Sequence, residues 1–309
     1  MNLLDFNKYY PDEASCKSAF KSQRLSEGVV CKKCNHTSHY WKKKKEQWEC
    51  KSCSYRTTLK SGTVMENSKL PYQYWFVAMH LLTSTKKSFS AKEVQRQLGH
   101  NRYQPIWEML HKIRSVMGLR DDKYILRNET ELDDGFFETV SISRNKKEVL
   151  KRGRGSQRQT TVLVSTESET IKDDSISKKY SKKKRLGFIK MKVITSLKIE
   201  IVTPVIKSMV EKGSVIVSDG STSFNGIKDD YLHSGKVIPK KEISKVLPWV
   251  HTVISNAKRM LLDIHHRVDD DFLQNYLNEY VYKLNRRNFK CCFERLLITA
   301  VSYRWNSLG

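Results

Sequence analysis

The chain has 309 residues, 39% of them apolar, enough for two or three small cores. No run approaches the roughly 18 apolar residues that span a bilayer, and the start, MNLLDFNKYYPDEAS, lacks a charged segment followed by an apolar one. Neither a membrane nor an exported protein is expected, and the cytoplasm is the expected location. Lysine and arginine outnumber the acids 57 to 33, a net charge of +24, and a field of that sign attracts polyanions, nucleic acid first among them.

Residues 11–24 predict a short helix opened by Pro11, with Asp12 and Glu13 at its positive end. A helical segment over 1–28 therefore precedes a cysteine module over 29–60. CKKC at 31–34 and CKSC at 50–53 lie about fifteen residues apart. Each CxxC turn aims two thiolates at one point, so Cys31, Cys34, Cys50 and Cys53 together predict a closed tetrahedral site for structural Zn²⁺. The intervening HYWKKKKEQWE reads as a hairpin with a lysine-rich tip, which makes the module a zinc ribbon whose folding depends on the metal. His36 and His39 lie close enough to substitute for a thiolate, but with four cysteines present they are read as surface or packing residues. The odd cysteine count argues against disulfides; Cys16, Cys291 and Cys292 lack partners at ligand spacing and are expected to be small buried residues.

Residues 61–122 predict a helical region. PYQYWFVAMHLLTS at 71–84 is apolar nearly all round, as in a helix inside a bundle. In SAKEVQRQLGHNRYQPIWEML, Ser90 and Glu93 form a capping-box pattern and Gly99 ends a helix. A second helix follows with Ile106, Met109, Leu110 and Ile113 on one face. This is a helix-turn-helix candidate for DNA contact; an ordinary helical hairpin is the plain alternative.

From about residue 124 the pattern turns to strands: ELDDGFFETVSI, QTTVLVST, LGFIKMKVI and GSVIVSD, with a helix near 196–210 before the last. ESETIKDDSISKKYSKKKR is a polar loop whose lysines either touch phosphate or are simply solvated. Later residues are helical: the helix from Pro248, and DFLQNYLNEYVYKLNRR with Leu273, Leu277, Tyr280 and Leu284 on one stripe. Asp133 lies near the start of the first strand, and Asp219 ends an apolar strand just before Gly220, where a carboxylate meets the sheet's edge. Asp-Gly is also common turn chemistry. Asp134 competes with Asp133, but adjacent strand residues face opposite sides. The order fits an RNase H-like catalytic domain over 123–309, in which two aspartates and a ligand from a later helix hold two divalent ions.

Several motifs in order, GVVCKKC, CKSC, SGTVMENSKLPYQYWF, ELDDGFF, SDGSTSFNG, VHTVISNAKRMLLDIHHRV and YLNEYVYKLNRR, resemble the zinc-ribbon DDE transposases of bacterial insertion sequences, the ISXO2-like group of the IS1595 family. The resemblance covers nearly the whole chain. It implies a multi-domain α+β protein: zinc ribbon, helix-turn-helix-like region, then an RNase H-like α/β domain with a mixed sheet and C-terminal helices. It further implies Mg²⁺- or Mn²⁺-dependent DNA cleavage and strand transfer, with the ribbon and helical region recognising the element's terminal inverted repeats. Joining two ends to target double-stranded DNA implies a homodimer or higher assembly. The family's two aspartates fall on Asp133 and Asp219 and its lysine on Lys258, whereas Asp134 stands where a glutamate is usual.

The family's third acid, seven residues before the lysine, falls on His251, and members of this group carry Asn or His there. On the helix from Pro248, the residues Val250, Val253, Ile254, Ala257 and Leu261 form the apolar stripe, while His251, Ser255 and Lys258 share the neighbouring face. Asn256 lies roughly 140° around from His251. His251 is preferred to Asn256 as third ligand, a capping or packing histidine being the plain alternative. Lys258 is expected on a DNA phosphate, and His265 and His266 are read as loop or DNA-contacting residues. The missing third carboxylate keeps open a catalytically inactive DNA-binding protein derived from a transposase, and a nuclease without strand transfer is a further reading.

Overall fold

The computed structural model describes residues 1–140, 156, 158–170, 184–236 and 246–303. Most of the loop lysines at 178–185, and residues 141–142 of the first predicted strand, lie outside the described residues. The chain divides into two compact units, Met1–Arg120 with Asn288–Gly309, and Asp121–Arg287.

The first unit begins with α1 (Leu3–Tyr9) and α2 (Glu13–Glu27). Asp12 caps α2 by accepting from the Ser15 N–H at 2.8 Å, and the Ser15 hydroxyl answers the Asp12 N–H, a reciprocal capping box. The ribbon follows as a three-stranded antiparallel sheet, β1 (His39–Lys42), β2 (Gln47–Cys50) and β3 (Arg56–Thr58). Its inner face carries Trp41, Trp48 and Thr57 in register. α2 covers that face: Lys21 lies 3.8 Å from the Trp41 ring and Arg24 4.9 Å from Trp48. α3 (Tyr72–Ser84) buries Trp75, Phe76, Ala78, Met79 and Leu82 completely, as its apolar circumference predicts.

α4 (Ala91–Gln97) and α5 (Tyr103–Asp122) form the expected helical pair. Gly99 takes φ +61° at the turn, which an L side chain adopts only with strain. Only half of the Ser90–Glu93 box is made. The Ser90 hydroxyl accepts from the Glu93 N–H at 3.1 Å, but the Glu93 carboxylate turns to Arg96 and Gln97.

The last helix, α9 (Cys292–Ser302), lies in this unit and not in the expected 123–309 domain. Phe293, Leu296, Leu297, Ala300 and Val301 are buried, and the helix packs on α2 and α3. Cys16 is buried as expected, but Cys291, just before α9, is exposed and Cys292, the first residue of α9, is half-buried.

The second unit is a five-stranded mixed sheet in the order β6-β5-β4-β7-β8. Its strands are β4 (Glu129–Glu138), β5 (Gln159–Thr170), β6 (Lys184–Ile194), β7 (Val215–Asp219) and β8 (Leu232–Lys236). β4, β5 and β6 pair antiparallel, while β7 runs parallel to β4 and β8 parallel to β7. Two strands, β5 and β6, lie between the two aspartate-bearing strands among the described residues. α6 (Ile199–Met209) covers one face over Leu132, Leu163 and Ile216. α7 (Pro248–Ile264) and α8 (Leu273–Asn285) cover the other over Phe137, Val162 and Val164. The Asp121–Arg286 ion pair, 2.6 Å long with side chains 6% and 1% exposed, joins the two ends of the unit.

The outer edge of β6 is closed by side-chain amides. Asn285 accepts from the Ile189 N–H at 2.8 Å and donates to its carbonyl at 3.0 Å. Gln274 likewise accepts from the Val193 N–H and donates to the Met191 carbonyl. An open edge would invite strand pairing with another chain. Asn285→Leu leaves both Ile189 groups unpaired, and urea unfolding is expected to show a loss of about 1–3 kcal/mol. An unchanged midpoint would mean that the amide contributes nothing there.

Candidate metal centres

The four ribbon thiols converge. Cys31 and Cys53 sulfurs lie 3.5 Å apart, as do those of Cys34 and Cys50, and all four lie within 4.8 Å of one another. A disulfide needs about 2.05 Å. A tetrahedron with Zn–S bonds of about 2.3 Å has edges near 3.8 Å, so the sulfurs are spaced for zinc. Burial of the Cys31 thiol opposes ionisation, but the Cys34 and Lys33 N–H groups aimed at it prevail and lower its pKa. His36 is exposed and His39 hydrogen-bonds the Thr37 carbonyl, so neither enters the set.

Asp133 and Asp219 lie on neighbouring parallel strands, each one residue beyond the registered pair Leu132 and Ser218. Strand alternation turns both toward α7, whereas Asp134 faces the α6 side with Leu132. The Asp133 side chain is 13% exposed. Burial pushes its carboxyl up to about 7; the charges of Asp134 and Asp219 add to the rise, and the Asp134 N–H, donating to Oδ1 at 2.8 Å, opposes it. Asp219 Oδ1 accepts from the Ser221 N–H at 3.2 Å in the turn after β7.

α7 brings His251 to this pair. Its buried stripe comprises Val250, Val253, Ile254, Ala257 and Leu261. On the adjoining face His251 Nδ1 lies 3.5 Å from Asp133 Oδ2, and Nε2 is buried without a hydrogen-bond partner among the described residues. Burial holds the imidazole below its ordinary pKa, against the pull of Asp219. A shielded carboxyl that resists ionisation, facing a second carboxylate and a neutral imidazole with an unused nitrogen, is a donor set suited to a divalent cation. The three are spread wider than the cysteines; their ligand atoms do not all fall within 4.8 Å. Asn256 is exposed. Lys258 is half-buried, with Nζ 5.5 Å from the Phe137 ring centre. The His265 ring packs on Tyr276 at 4.4 Å, and His266 is exposed.

One residue of this region escapes a linear reading. Glu131, two positions before Asp133 and on the same face, is fully buried, and its Oε2 accepts from the N–H groups of Trp249 and Val250. A helix opening on Leu-Pro without Ser, Thr, Asp or Asn before it is the available signal, since its first N–H groups need an acceptor from elsewhere. α3 repeats the device: it begins after Pro71, and Glu13 accepts from the Tyr72 and Gln73 N–H groups.

The profile of the ISXO2-like transposase domain matches residues 125–285, just over half the chain. The chain belongs to the ISXO2-like transposase family. A second profile, the transposase zinc-ribbon domain, matches residues 11–56 of the transposase and so takes in α2 with the ribbon. No curated protein matches it. Among solved structures, a pre-cleavage Mos1 transpososome is similar at 9% identity over 78% of this chain and 82% of that one, with a TM-score of 0.28. A Mos1 transposase paired-end complex with left transposon end is similar at 11% identity over 77% and 82%, with a TM-score of 0.29. The sheet order β6-β5-β4-β7-β8, with β4, β5 and β6 antiparallel and β7 and β8 parallel to β4, is that of an RNase H-like domain. No described helix is long and apolar enough to cross a membrane.

Proposed function

We propose that this transposase binds the terminal inverted repeats of an insertion sequence, cleaves DNA there, and joins the resulting 3′-hydroxyl to target DNA. The observation that carries the reading is the approach of His251, on α7, to Asp133 beside Asp219 on two neighbouring strands of an RNase H-like sheet. Asp133, Asp219 and His251 would hold Mg²⁺ or Mn²⁺, which activates the attacking water or hydroxyl and stabilises the leaving oxygen.

The chain's own groups have separable tasks. Asp133 offers charge once its proton is displaced, and the Asp134 N–H fixes Oδ1 so that Oδ2 faces His251. His251 presents a neutral nitrogen because burial disfavours the imidazolium. Lys258, on the same helix, supplies a point charge for a phosphate. Asn256, exposed and turned away from His251, is the weaker candidate. Water adds to phosphorus and the P–O3′ bond breaks; the 3′-hydroxyl then attacks a target phosphorus and displaces a target 3′-oxygen. Two ends are joined in one event, so at least two protomers are required.

End recognition falls to the first unit. The inner face of the ribbon is covered by α2, while its outer side carries Tyr40, Lys42, Lys51 and Arg56, and the tip carries Lys43, Lys44 and Lys45, all exposed. The exposed Asn101, Arg102, Tyr103 and Gln104, at and just before the start of α5, support a role for its first turn in reading DNA. The test is incubation of the purified protein with end-containing duplex, target plasmid and Mn²⁺. Joined products with covalent 3′-ends are expected; cleavage without joining indicates a nuclease, and binding without cleavage an inactive descendant.

A further inference from the structure

We propose that Glu131 is a positioning residue that anchors the first turn of α7 and thereby sets the separation of His251 from Asp133. The inference rests on the reading of Asp133, Asp219 and His251 as an ion site. α7 has no side-chain cap of its own: Leu247 precedes it, and Pro248, at the first helical position, has no N–H to offer. The next two N–H groups, those of Trp249 and Val250, donate to Glu131 Oε2 at 2.8 and 2.9 Å. His251 is the very next residue.

The anchoring carboxylate and the ion-facing carboxylate belong to one strand face. Glu131 and Asp133 are two residues apart on β4, so both point at α7. Gly135, the next residue on that face, marks a second fixed point: a Cβ there would lie 3.3 Å from Ile254 Cγ2. β4 therefore holds α7 on both sides of Asp133, through a hydrogen-bonded anchor at 131 and a close backbone approach at 135. A third tie holds the same turn, since the Trp249 indole N–H donates to the Lys184 carbonyl on β6 at 3.1 Å. Glu131 is fully buried, and a buried carboxylate is costly unless its hydrogen bonds justify its place. Residues that orient metal ligands without touching the ion typically alter affinity by about 10–100-fold when removed.

The test measures Mn²⁺ binding to the zinc-loaded full chain by electron paramagnetic resonance, together with DNA binding and zinc content. Glu131→Gln keeps an oxygen that accepts both N–H groups and is expected to bind Mn²⁺ within about threefold of the native protein. Glu131→Ala is expected to weaken Mn²⁺ binding by about tenfold or more, with DNA binding and zinc content unchanged. Native-like Mn²⁺ affinity in Glu131→Ala, or an equal loss in Glu131→Gln, overturns the proposal; the latter would mean that charge acts and not the anchor. Should Glu131→Ala fail to fold, Gly135→Ala disturbs the other fixed point and is expected to weaken Mn²⁺ binding in a folded protein; unaltered affinity there overturns the proposal. His251→Ala separates the two levels. If it leaves Mn²⁺ affinity intact, the ion-site reading fails; if it weakens binding and Glu131→Ala does not, only the positioning role fails.

Discussion

Replacing Asp133 with Asn is expected to abolish DNA cleavage while raising the thermal stability of the protein at pH 8. Loss of an ion ligand removes several kcal/mol of transition-state stabilisation, and at about 1.4 kcal/mol per decade the rate falls roughly a thousandfold or more. The stability effect follows from burial. The Asp133 carboxyl titrates near 7 in the folded chain, against an ordinary value of 3.8. A raised carboxyl pKa means the folded state holds its proton more tightly than the unfolded state does. Its contribution is therefore fully present below pH 3.8 and is lost as pH rises to about 7, at on the order of 1 kcal/mol per pH unit. The amide of the Asp133→Asn variant has no proton to lose, so the variant gains on the native protein across that window and keeps the gain above it. Mn²⁺ should reverse the comparison, stabilising the native protein more at pH 8 than at pH 6 and leaving the variant unmoved. Calorimetric melts of zinc-loaded protein at the two pH values decide the matter. A variant no more stable than the native protein at pH 8 without Mn²⁺, or a native protein that Mn²⁺ stabilises no more at pH 8 than at pH 6, would mean that Asp133 is not a strained, ion-receptive acid.

Replacing Cys50 with Ser is expected to unfold the ribbon and remove end binding while the second unit melts unchanged. The ribbon's sheet has strands of only four, four and three residues. So little apolar burial cannot offset the entropy of ordering the segment, and structural zinc contributes on the order of 10 kcal/mol in such modules. Trp41 and Trp48, packed edge-on at 4.9 Å, report the loss directly through near-ultraviolet circular dichroism. Binding to end-containing duplex should fall by about a hundredfold or more, because Lys42–Lys45 and Arg56 then lose their fixed arrangement and must be ordered on contact. Native-like DNA affinity in a zinc-free variant would place recognition elsewhere.

Much of the site was legible because its signals are local. The five buried positions of α7 recur at helical spacing, and that stripe alone turns His251 and Lys258 toward a common neighbouring face. The CxxC pairs carry their own geometry. Strand patterns mark Asp133 and Asp219, but their adjacency depends on the parallel pairing of β4 with β7, which strand order and not periodicity determines. Other features leave no local trace. β8 is a five-residue segment whose large apolar residue, Leu232, is 68% exposed, and pairing to β7 holds it in place. α9 looks like one more helix following α8, yet its apolar face packs against α2 and α3. Glu131, Asn285 and Gln274 are polar residues that serve distant backbone groups, so a linear pattern marks them only as anomalies.

Asp133, Asp219 and His251 are proposed to hold one divalent ion between them. Pulsed electron paramagnetic resonance of Mn²⁺ bound to the zinc-loaded protein tests this directly, because a coordinated imidazole imprints nitrogen modulation on the manganese signal. The native protein should show that modulation, His251→Ala should lose it, and Asn256→Ala should retain it. Nitrogen modulation absent from the native protein, or persisting in His251→Ala, would contradict the site.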